Sequence, residues 1–282
     1  MMHCPLIRFL GIPFAFLITI SIIAKGPIKK LKVTTFNSYF LYDEVGDSHQ
    51  FPKDRKHRTE EDFAKIKKIL LSNRPDIIGF QEIENETALH HIIINEYECR
   101  ATVTPGYSQE LGLCWKKELG KPVIKELEQL SFRPGLRKGL LAEFNIDGKK
   151  VFFLVVHLKA GRSAKDKKER KEQILALKEI LPSLGKFVLL GDFNEVLEKK
   201  ADLWKILRGN LKIKSANYKQ KSDCWQHQDG FIDYLITNMD WQPGSFVQTK
   251  FESDDGNFDG NPSAEKGLSD HCPVSADLLL ER

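Results

Sequence analysis

Ionisable side chains stand within or at the ends of the apolar runs that predict buried strands in this sequence. Six of them share this placement: Glu82, His157, Asp192, Asp233, Asp270 and His271. Acidic groups are almost never buried without partners, so several carboxylates at such positions require a shared explanation. Hard divalent cations such as Mg²⁺ are bound by carboxylate oxygens together with water and phosphate. The pattern therefore indicates a metal site that handles phosphoryl groups, with histidines available for proton transfer.

The apolar runs that must position these residues alternate with amphipathic segments. Four of the runs are typical of strands: LKVTTFN (31–37), PDIIGFQE (75–82), KFVLLGDFN (186–194) and FIDYLIT (231–237). A helix is predicted at 59–73, where Thr59 and Asp62 match a capping box. A second helix is predicted at 163–181, with a charged face that we expect to be exposed to solvent. This order predicts two packed sheets covered by helices in one α+β domain.

Composition places the chain among globular proteins. Its 282 residues are 41% hydrophobic, 29% charged and 10% aromatic, which excludes a disordered, collagen-like or multi-span membrane protein. The 43 Lys and Arg residues against 39 Asp and Glu residues leave a net charge of +4. This excess is too small to be an electrostatic footprint for nucleic acid, although it is compatible with an enzyme that handles phosphate.

Six short motifs carry a resemblance to a known family. They are TFN (35–37), GFQE (79–82), VVHLKAG (155–161), LLGDFNEV (189–196), FIDYLIT (231–237) and LSDHCPV (268–274). Each alone is weak, but together and in this order the chain resembles the endonuclease/exonuclease/phosphatase superfamily. The resemblance implies one domain over residues 28–282, an α+β, four-layered sandwich of two mostly antiparallel sheets with helices outside. It also implies hydrolysis of phosphate esters that depends on Mg²⁺ or Mn²⁺.

The resemblance assigns metal-site roles to matching positions of this sequence. Glu82 matches the glutamate that binds the metal, and Asn37 and Asp270 belong to the same metal site. Asp192 and Asn194 match the pair that positions and activates the attacking water and contacts the phosphate. We therefore predict Asn37, Glu82, Asp192, Asn194 and Asp270 as the residues around the metal.

The resemblance also assigns proton-handling roles. His271 matches the essential histidine beside the scissile phosphate, and Asp233 matches the carboxylate that orients it. His157 matches a second phosphate-facing histidine of the pancreatic-type deoxyribonuclease and sphingomyelinase branches. An adjacent carboxylate fixes the tautomer of a histidine and holds it protonated. Whether Asp192 or His157 accepts the proton of the water stays open at the level of the sequence.

Two further positions leave alternatives open. Arg137 is the candidate for the arginine of the family, and Arg133 is its competitor. Residues 255–260 match the first half of a calcium-binding loop, but Lys266 stands where that loop needs a glutamate. A solvated polar loop is the preferred interpretation there, and a weak structural Ca²⁺ site is the alternative.

These observations lead to a functional prediction with alternatives. We predict a divalent-metal-dependent phosphodiesterase, namely an exported endonuclease that cleaves DNA. The alternative is a family member that acts on a phospholipid headgroup, as sphingomyelinases do, or on a sugar phosphate. A second alternative, a non-catalytic binding or toxin-like protein, is disfavoured because every required motif residue is present. No protein partner can be inferred, and we expect a monomer.

The N-terminal segment differs from the rest of the chain. Residues 9–24 form its only long uncharged run. The run is shorter than the ~20 residues of a membrane-spanning helix and slightly longer than the ~7–15 residues of a signal-peptide core. We interpret residues 1–24 as a signal peptide in preference to a retained anchor. The expected location is therefore periplasmic, secreted or membrane-anchored.

Cysteine usage agrees with export. Removal of the leader would leave four cysteines, Cys99, Cys114, Cys224 and Cys272, which can pair in three ways. Cys99 and Cys114 can face each other across a hairpin. Four buried free thiols are an equally weighted alternative, since free cysteine is often buried.

Overall fold

The computed structural model describes most of the chain after residue 28. The described residues are Met1 and 29–43, 58–104, 109–222, 224, 230–250 and 268–280. The apolar segment 9–24 and the calcium-loop candidate 255–266 lie outside these residues. Within the described ranges, no helix is long and apolar enough to cross a membrane.

Seven strands form the first sheet, which has the first strand near its centre. They are β1 (Lys30–Leu41), β2 (Ile77–Ile83), β3 (Tyr97–Ala101), β4 (Glu110–Lys116), β11 (Asp240–Trp241), β12 (Val247–Gln248) and β13 (Val274–Leu279). Their order across the sheet is β11-β13-β1-β2-β4-β3, and β12 also pairs with β13. β1 and β2 are parallel, whereas the other pairs are antiparallel.

Six strands form the second sheet. They are β5 (Val123–Leu127), β6 (Gly139–Ile146), β7 (Lys149–His157), β8 (Phe187–Asp192), β9 (Lys214–Ser215) and β10 (Asp233–Thr237). Their order is β5-β6-β7-β8-β10-β9, so β5 and β9 are the two edges. Only β7 and β8 run parallel among these described strands.

Four α-helices cover the outer faces of the sheets in the described part of the chain. They are α1 (Glu60–Ser72), α2 (Glu86–Ile92), α3 (Ala164–Ile180) and α4 (Ala201–Arg208). The predicted capping box is confirmed at α1, where the side chains of Thr59 and Asp62 each accept the backbone N–H of the other. Ser163 and Asp166 cap α3 in the same way. Both predicted helices are therefore present, and each begins at its capping residue.

Apolar residues on both faces of the first sheet explain the layered architecture. Val33 of β1 and Ile77 of β2 lie in the core between the two sheets. Phe36 and Phe80, on the opposite face, pack with Ile66 of α1 in a second core beneath α1 and α2. Because successive residues of a strand point to opposite faces, this pattern requires a partner layer on each side. The predicted four-layered sandwich is confirmed.

The charged face of α3 differs from its prediction. Glu169 and Arg170 are buried, so the prediction of a solvent-exposed charged face is wrong for these two residues, and the nearby Gln173 is buried as well. Glu169 accepts a hydrogen bond from Nε of Arg133 at 2.7 Å. Arg170 donates to the carbonyl of Lys159 at 2.6 Å, and Gln173 accepts the backbone N–H of Lys159 at 2.7 Å. Glu169 is buried because it holds Arg133 against the helix, and Arg170 and Gln173 are buried because they fasten the loop that follows β7.

Two disulfides join Cys99, Cys114, Cys224 and Cys272 in pairs. Cys99 and Cys114 lie opposite each other in β3 and β4, and their side chains are bonded. Cys224 is bonded to Cys272 across 48 positions of sequence. The first pair agrees with the hairpin interpretation. The second pair joins the segment before β10 to the segment before β13.

Gly191 explains why the GDFN motif begins with glycine. Its φ is +140°, and a Cβ atom there would lie 1.9 Å from the carbonyl oxygen of Val156 in β7.

We expect Gly191→Ala to lower the free energy of unfolding by at least about 2 kcal/mol, through backbone strain and this clash. Thermal unfolding should show a Tm lower by roughly 4–8 °C. Gly120→Ala is the control, because Gly120 also has a positive φ but no atom lies within 4 Å of an added Cβ. Equal losses in the two variants would contradict the steric explanation.

Candidate active site

The polar ends of strands from both sheets meet at one edge of the sandwich. In the parallel pair β7 and β8, His157 lies beside Asp192. Asp233 begins the antiparallel strand β10 and also lies beside Asp192. From the first sheet, Nδ2 of Asn37 donates to Oδ2 of Asp192 at 3.1 Å and to Oε1 of Glu82 at 3.3 Å. Asn37 therefore connects the acids of the two sheets.

Glu82 occupies an irregular position at the end of β2. Its φ is +58°, and the register between β2 and β4 shifts at this point, so that the strand bulges. A bulge redirects a side chain relative to a regular strand. Burial raises the pKa of the Glu82 carboxyl; the charge of Arg137 opposes the rise and that of Asp270 adds to it. Oε2 of Glu82 is buried and has no hydrogen-bond partner among the described residues.

Asp192 is at the centre of the site. Its Oδ1 accepts the backbone N–H of Asn194 at 2.7 Å, and its Oδ2 accepts the side-chain amide of Asn194 at 3.2 Å. Nε2 of His157 lies 3.4 Å from Oδ2, and Nε2 of His271 lies 3.8 Å from it. Burial raises the pKa of Asp192 to about 7, although the charge of His271 opposes the rise. A carboxyl with this pKa can accept a proton near neutral pH.

His271 and Asp233 form a buried pair. Nδ1 of His271 lies 2.8 Å from Oδ2 of Asp233, as expected from the predicted role of Asp233. Burial alone would lower the pKa of His271, but the charge and hydrogen bond of Asp233, with the charges of Asp270 and Asp192, hold it well above its ordinary value. His271 is therefore an imidazolium near neutral pH, with Nε2 directed at Asp192.

His157 has the opposite electrostatic character. Burial lowers the pKa of His157 well below its ordinary value, and the charges of Arg137 and His271 add to this effect. The ring is therefore neutral. Its Nε2 lies 3.4 Å from Oδ2 of Asp192 and 3.8 Å from Oε1 of Glu82. The structure thus brings together, around a single carboxylate, two histidines whose pKa values are shifted in opposite directions.

The two arginine candidates are separated by their surroundings. Arg133 pairs with Glu169 of α3, outside the site. Arg137 is buried, with 9% of its surface exposed, and its charge acts on the pKa of both Glu82 and His157. Only Arg137 is therefore placed at the cluster of acids and histidines, which agrees with its selection from the sequence.

Two supporting residues were not singled out from the sequence. Ser269 donates to the carbonyl of Asn37 at 2.8 Å and accepts the backbone N–H of His271 at 3.0 Å, so it fixes the loop before β13 to β1. Its signal was its place inside the LSDHCPV motif. Gln109 accepts a hydrogen bond from Arg137. No local pattern marks Gln109, because its partner lies 28 positions away along the chain.

Two groups of side chains offer possible ligand atoms for a hard divalent cation, and the group around Glu82 suits such an ion better than the group around His271. Glu82 offers a buried carboxylate oxygen that has no hydrogen-bond partner among the described residues, and the charge of Asp270 raises its pKa by repulsion. A cation would relieve that repulsion, and oxygen is the ligand such ions prefer. Asp192, Asp233 and His271 also have ligand atoms within 4.8 Å of one another. That group is explained by the Asp233–His271 hydrogen bond, and an imidazolium has no lone pair to offer.

A sequence comparison places the chain in a family. The model of the Endonuclease/Exonuclease/phosphatase family matches residues 34–262. The chain belongs to this family. Its members are hydrolases that act on phosphodiester bonds and use divalent metals. No curated protein matches the chain in sequence. The resemblance inferred from the six motifs is therefore confirmed for the family.

Solved structures share the fold of this family member. D. rerio TDP2, humanized by 14 mutations, superposes with a TM-score of 0.63 at 14% identity, over 89% of this chain and 99% of its own. D. rerio TDP2 complexed with a single-strand DNA product gives 0.61 at 16% identity, over 89% and 99%. The human nocturnin catalytic domain with a bound sulfate gives 0.59 at 16% identity, over 89% and 93%. At these identities the likeness shows the fold alone.

Proposed function

We propose that this chain is a divalent-metal-dependent phosphodiesterase and that its substrate is DNA. The observation that carries the proposal is the arrangement around Asp192, where His157 and His271, whose pKa values are shifted in opposite directions, approach the same buried carboxylate at 3.4 and 3.8 Å. Perturbed ionisable groups of this kind concentrate at catalytic sites.

The residues proposed to hold the cation are Glu82 and Asp270, with Asn37 beside them. When bound, a divalent cation supplies charge stabilisation to a phosphoryl oxygen. Asn37 donates to both Glu82 and Asp192 and so keeps the two carboxylates apart and fixed. Arg137 adds positive charge at the same cluster, which suits a negatively charged ester.

Asp192 is the proposed acceptor of the proton from the attacking water. Burial raises the pKa of this carboxyl above its ordinary value, which makes it a stronger proton acceptor near neutral pH. Asn194 holds this carboxylate in place through its backbone and side-chain N–H groups. His157, which is neutral, is proposed to contact the phosphate as a hydrogen-bond donor. His271 is proposed to stabilise charge on the phosphoryl oxygens and to protonate the leaving oxygen.

DNA is proposed as the substrate on the strength of one comparison. A structural neighbour, D. rerio TDP2, has been solved with a single-strand DNA product. Another, human nocturnin, holds a sulfate anion, which resembles a phosphate in charge and shape. A substrate that spans several phosphates should bind more weakly as salt concentration rises, because counterions are released on binding.

A parallel assay of four substrate classes tests the proposal. We expect the purified protein with Mg²⁺ to hydrolyse plasmid DNA faster than RNA, sphingomyelin or a phosphomonoester. Preferential release of phosphocholine from sphingomyelin would replace DNA by a lipid headgroup and would leave the mechanism intact. Absence of turnover on all four substrates, with Mg²⁺ and with Mn²⁺, would contradict the proposed activity itself.

Export to an oxidising compartment is a separate proposal. The Cys99–Cys114 and Cys224–Cys272 disulfides support it, since disulfides persist in oxidising environments and are rare in the cytosol. We expect the mature native protein to begin near Lys25 and to contain no free thiol. Intact-mass measurement before and after thiol alkylation checks both points. A native protein that retains Met1 and reacts at four thiols would contradict the proposal.

A further inference from the structure

A pocket of about 200 Å³ lies on the outer face of the second sheet, beside α4. Its lining includes Glu198, Trp204, Ser215, Tyr218 and Tyr234; we name it the aromatic pocket. We propose that the aromatic pocket binds one base of a single-stranded nucleic acid, whose phosphates contact the basic surface around it. The proposal rests on the proposed function and deepens it, because it adds a substrate-binding site outside the catalytic centre.

The pocket is joined to the catalytic centre through β10. Asp233 and Tyr234 are successive residues of this strand, so their side chains point to opposite faces of the second sheet. Tyr234 is 1% exposed and forms the floor of the pocket. Its hydroxyl donates to Glu198 at 2.5 Å and accepts the backbone N–H of Leu197 at 2.9 Å. The floor is therefore fixed in position, next to the strand that supplies Asp233.

Tyr218 forms an exposed wall on a fixed turn. Its side chain is largely in solvent, with 63% of the residue exposed. The preceding residue, Asn217, is fully buried; it donates to the carbonyl of Asp233 at 3.0 Å and accepts the N–H of Leu235 at 3.2 Å. Nζ of Lys219 lies 5.3 Å from the centre of the Tyr218 ring. Because the backbone next to Tyr218 is already held in place, stacking of a ligand has to order little more than the side chain itself.

The segment around the aromatic pocket concentrates the positive charge of the chain. Residues 198–221 contain eight Lys and Arg and two acidic residues, a net charge of +6, whereas the rest of the chain carries −2. All eight basic side chains are exposed: Lys199, Lys200, Lys205, Arg208, Lys212, Lys214, Lys219 and Lys221. The small net charge of the whole chain therefore hides a basic surface of the kind that binds phosphates.

Pocket size and aromatic lining indicate a nucleobase rather than an acyl chain. The volume is below the ~300–1,000 Å³ of sites for drug-sized ligands, so it suits a single planar ring system. Two aromatic side chains, Trp204 and Tyr218, offer surfaces on which a base can stack. Oε2 of Glu198 already accepts the hydroxyl of Tyr234, and the other oxygen of this carboxylate can accept a hydrogen bond from the amino group of a base. Aromatic rings interleaved with lysines are typical of surfaces that bind single strands.

Binding of a fluorescent oligodeoxyadenylate tests the inference. The measurement uses Glu82→Gln as the parent protein, so that the strand is not cleaved, and follows fluorescence anisotropy. We expect Tyr218→Ala and Trp204→Ala each to weaken binding about 5- to 150-fold, the range for loss of stacking on one base. Lys219→Gln should lower the dependence of log affinity on log salt concentration by about 0.7 if one phosphate contact is lost.

Matched controls lie at the opposite edge of the same sheet. Phe132 is an exposed aromatic residue shortly after β5, and Lys121 is an exposed lysine just before it. Phe132→Ala and Lys121→Gln are expected to leave both the affinity and its salt dependence unchanged. Equal losses in these controls, or unchanged affinity in the Tyr218 and Trp204 variants, would overturn the inference.

The outcome is separable from that of the proposed function. If the wild type cleaves DNA and the pocket variants bind the strand as well as their parent, only the inference fails. If the variants bind the strand more weakly but the wild type cleaves no DNA, only the proposed function fails. Binding to vesicles that contain phosphatidylserine is measured in parallel. If the Tyr218 and Trp204 variants lose vesicle binding but keep their affinity for the strand, the aromatic pocket is part of a membrane-binding surface instead.

Discussion

Glu82→Gln is expected to lower kcat by at least about 10³-fold, because a bound metal contributes several kcal/mol to the transition state. The substitution keeps the shape of the side chain and its ability to accept a hydrogen bond from Asn37, but it removes the charge that attracts a cation. EDTA should abolish turnover of the wild type, and added Mg²⁺ should restore it. Full turnover in EDTA would exclude the metal mechanism.

Thermal unfolding supplies a second readout that is independent of turnover. A cation that binds only the folded wild type at about 100 times its Kd stabilises that state by roughly 2.7 kcal/mol, and Glu82→Gln should lose this increment. Without metal the variant is expected to be at least as stable as the wild type, because it removes a buried carboxyl that lies near Asp270. Glu86→Gln is the control, since Glu86 is paired with Arg100 away from the site. A Mg²⁺-dependent rise in Tm that survives in Glu82→Gln would place the cation elsewhere.

Much of the site could be predicted because its residues occupy fixed places relative to strands. Asp192 ends the apolar run of β8, and His157 ends the apolar run of β7. Because β7 and β8 are parallel neighbours, their last residues lie at the same edge of the sheet. The order of the motifs along the chain then identified Asp233 as the acid that pairs with His271. Local rules worked equally well for α1, where the spacing of Thr59 and Asp62 fixes the start of the helix.

The remaining features depend on contacts between distant parts of the chain. Glu169 and Arg170 lie in a run of charges that is typical of a solvated helix face, yet Glu169 is buried against Arg133 and Arg170 against the loop after β7. Neither the Cys224–Cys272 pairing nor the hydrogen bond between Gln109 and Arg137 leaves a local signal. The bulge that turns Glu82 out of the regular strand arises from pairing between β2 and β4, which the sequence of β2 alone does not encode.

His271→Ala is expected to lower kcat/KM by roughly 10²–10⁴-fold, the usual contribution of one general acid or base. Its buried partner Asp233 makes a sharper test, because the two residues are proposed to act in one step through the 2.8 Å contact at Nδ1. Asp233→Asn should reduce activity in the wild type but have little further effect in His271→Ala. Effects that multiply in the double variant would show that the two residues act separately.

The pH dependence of kcat/KM in Asp233→Asn tests whether the charge of Asp233 raises the pKa of His271. In the wild type, carboxylate charges outweigh burial and hold the pKa of His271 well above its ordinary value, so the active imidazolium persists through neutral pH. Loss of the Asp233 charge leaves burial less opposed, and the pKa of His271 should fall. The alkaline limb of kcat/KM against pH is therefore expected to move to lower pH in Asp233→Asn. Asp240→Asn is the control, because Asp240 is an exposed residue paired with Lys214. An alkaline limb that stays in place would mean that His271 does not act as the protonated group.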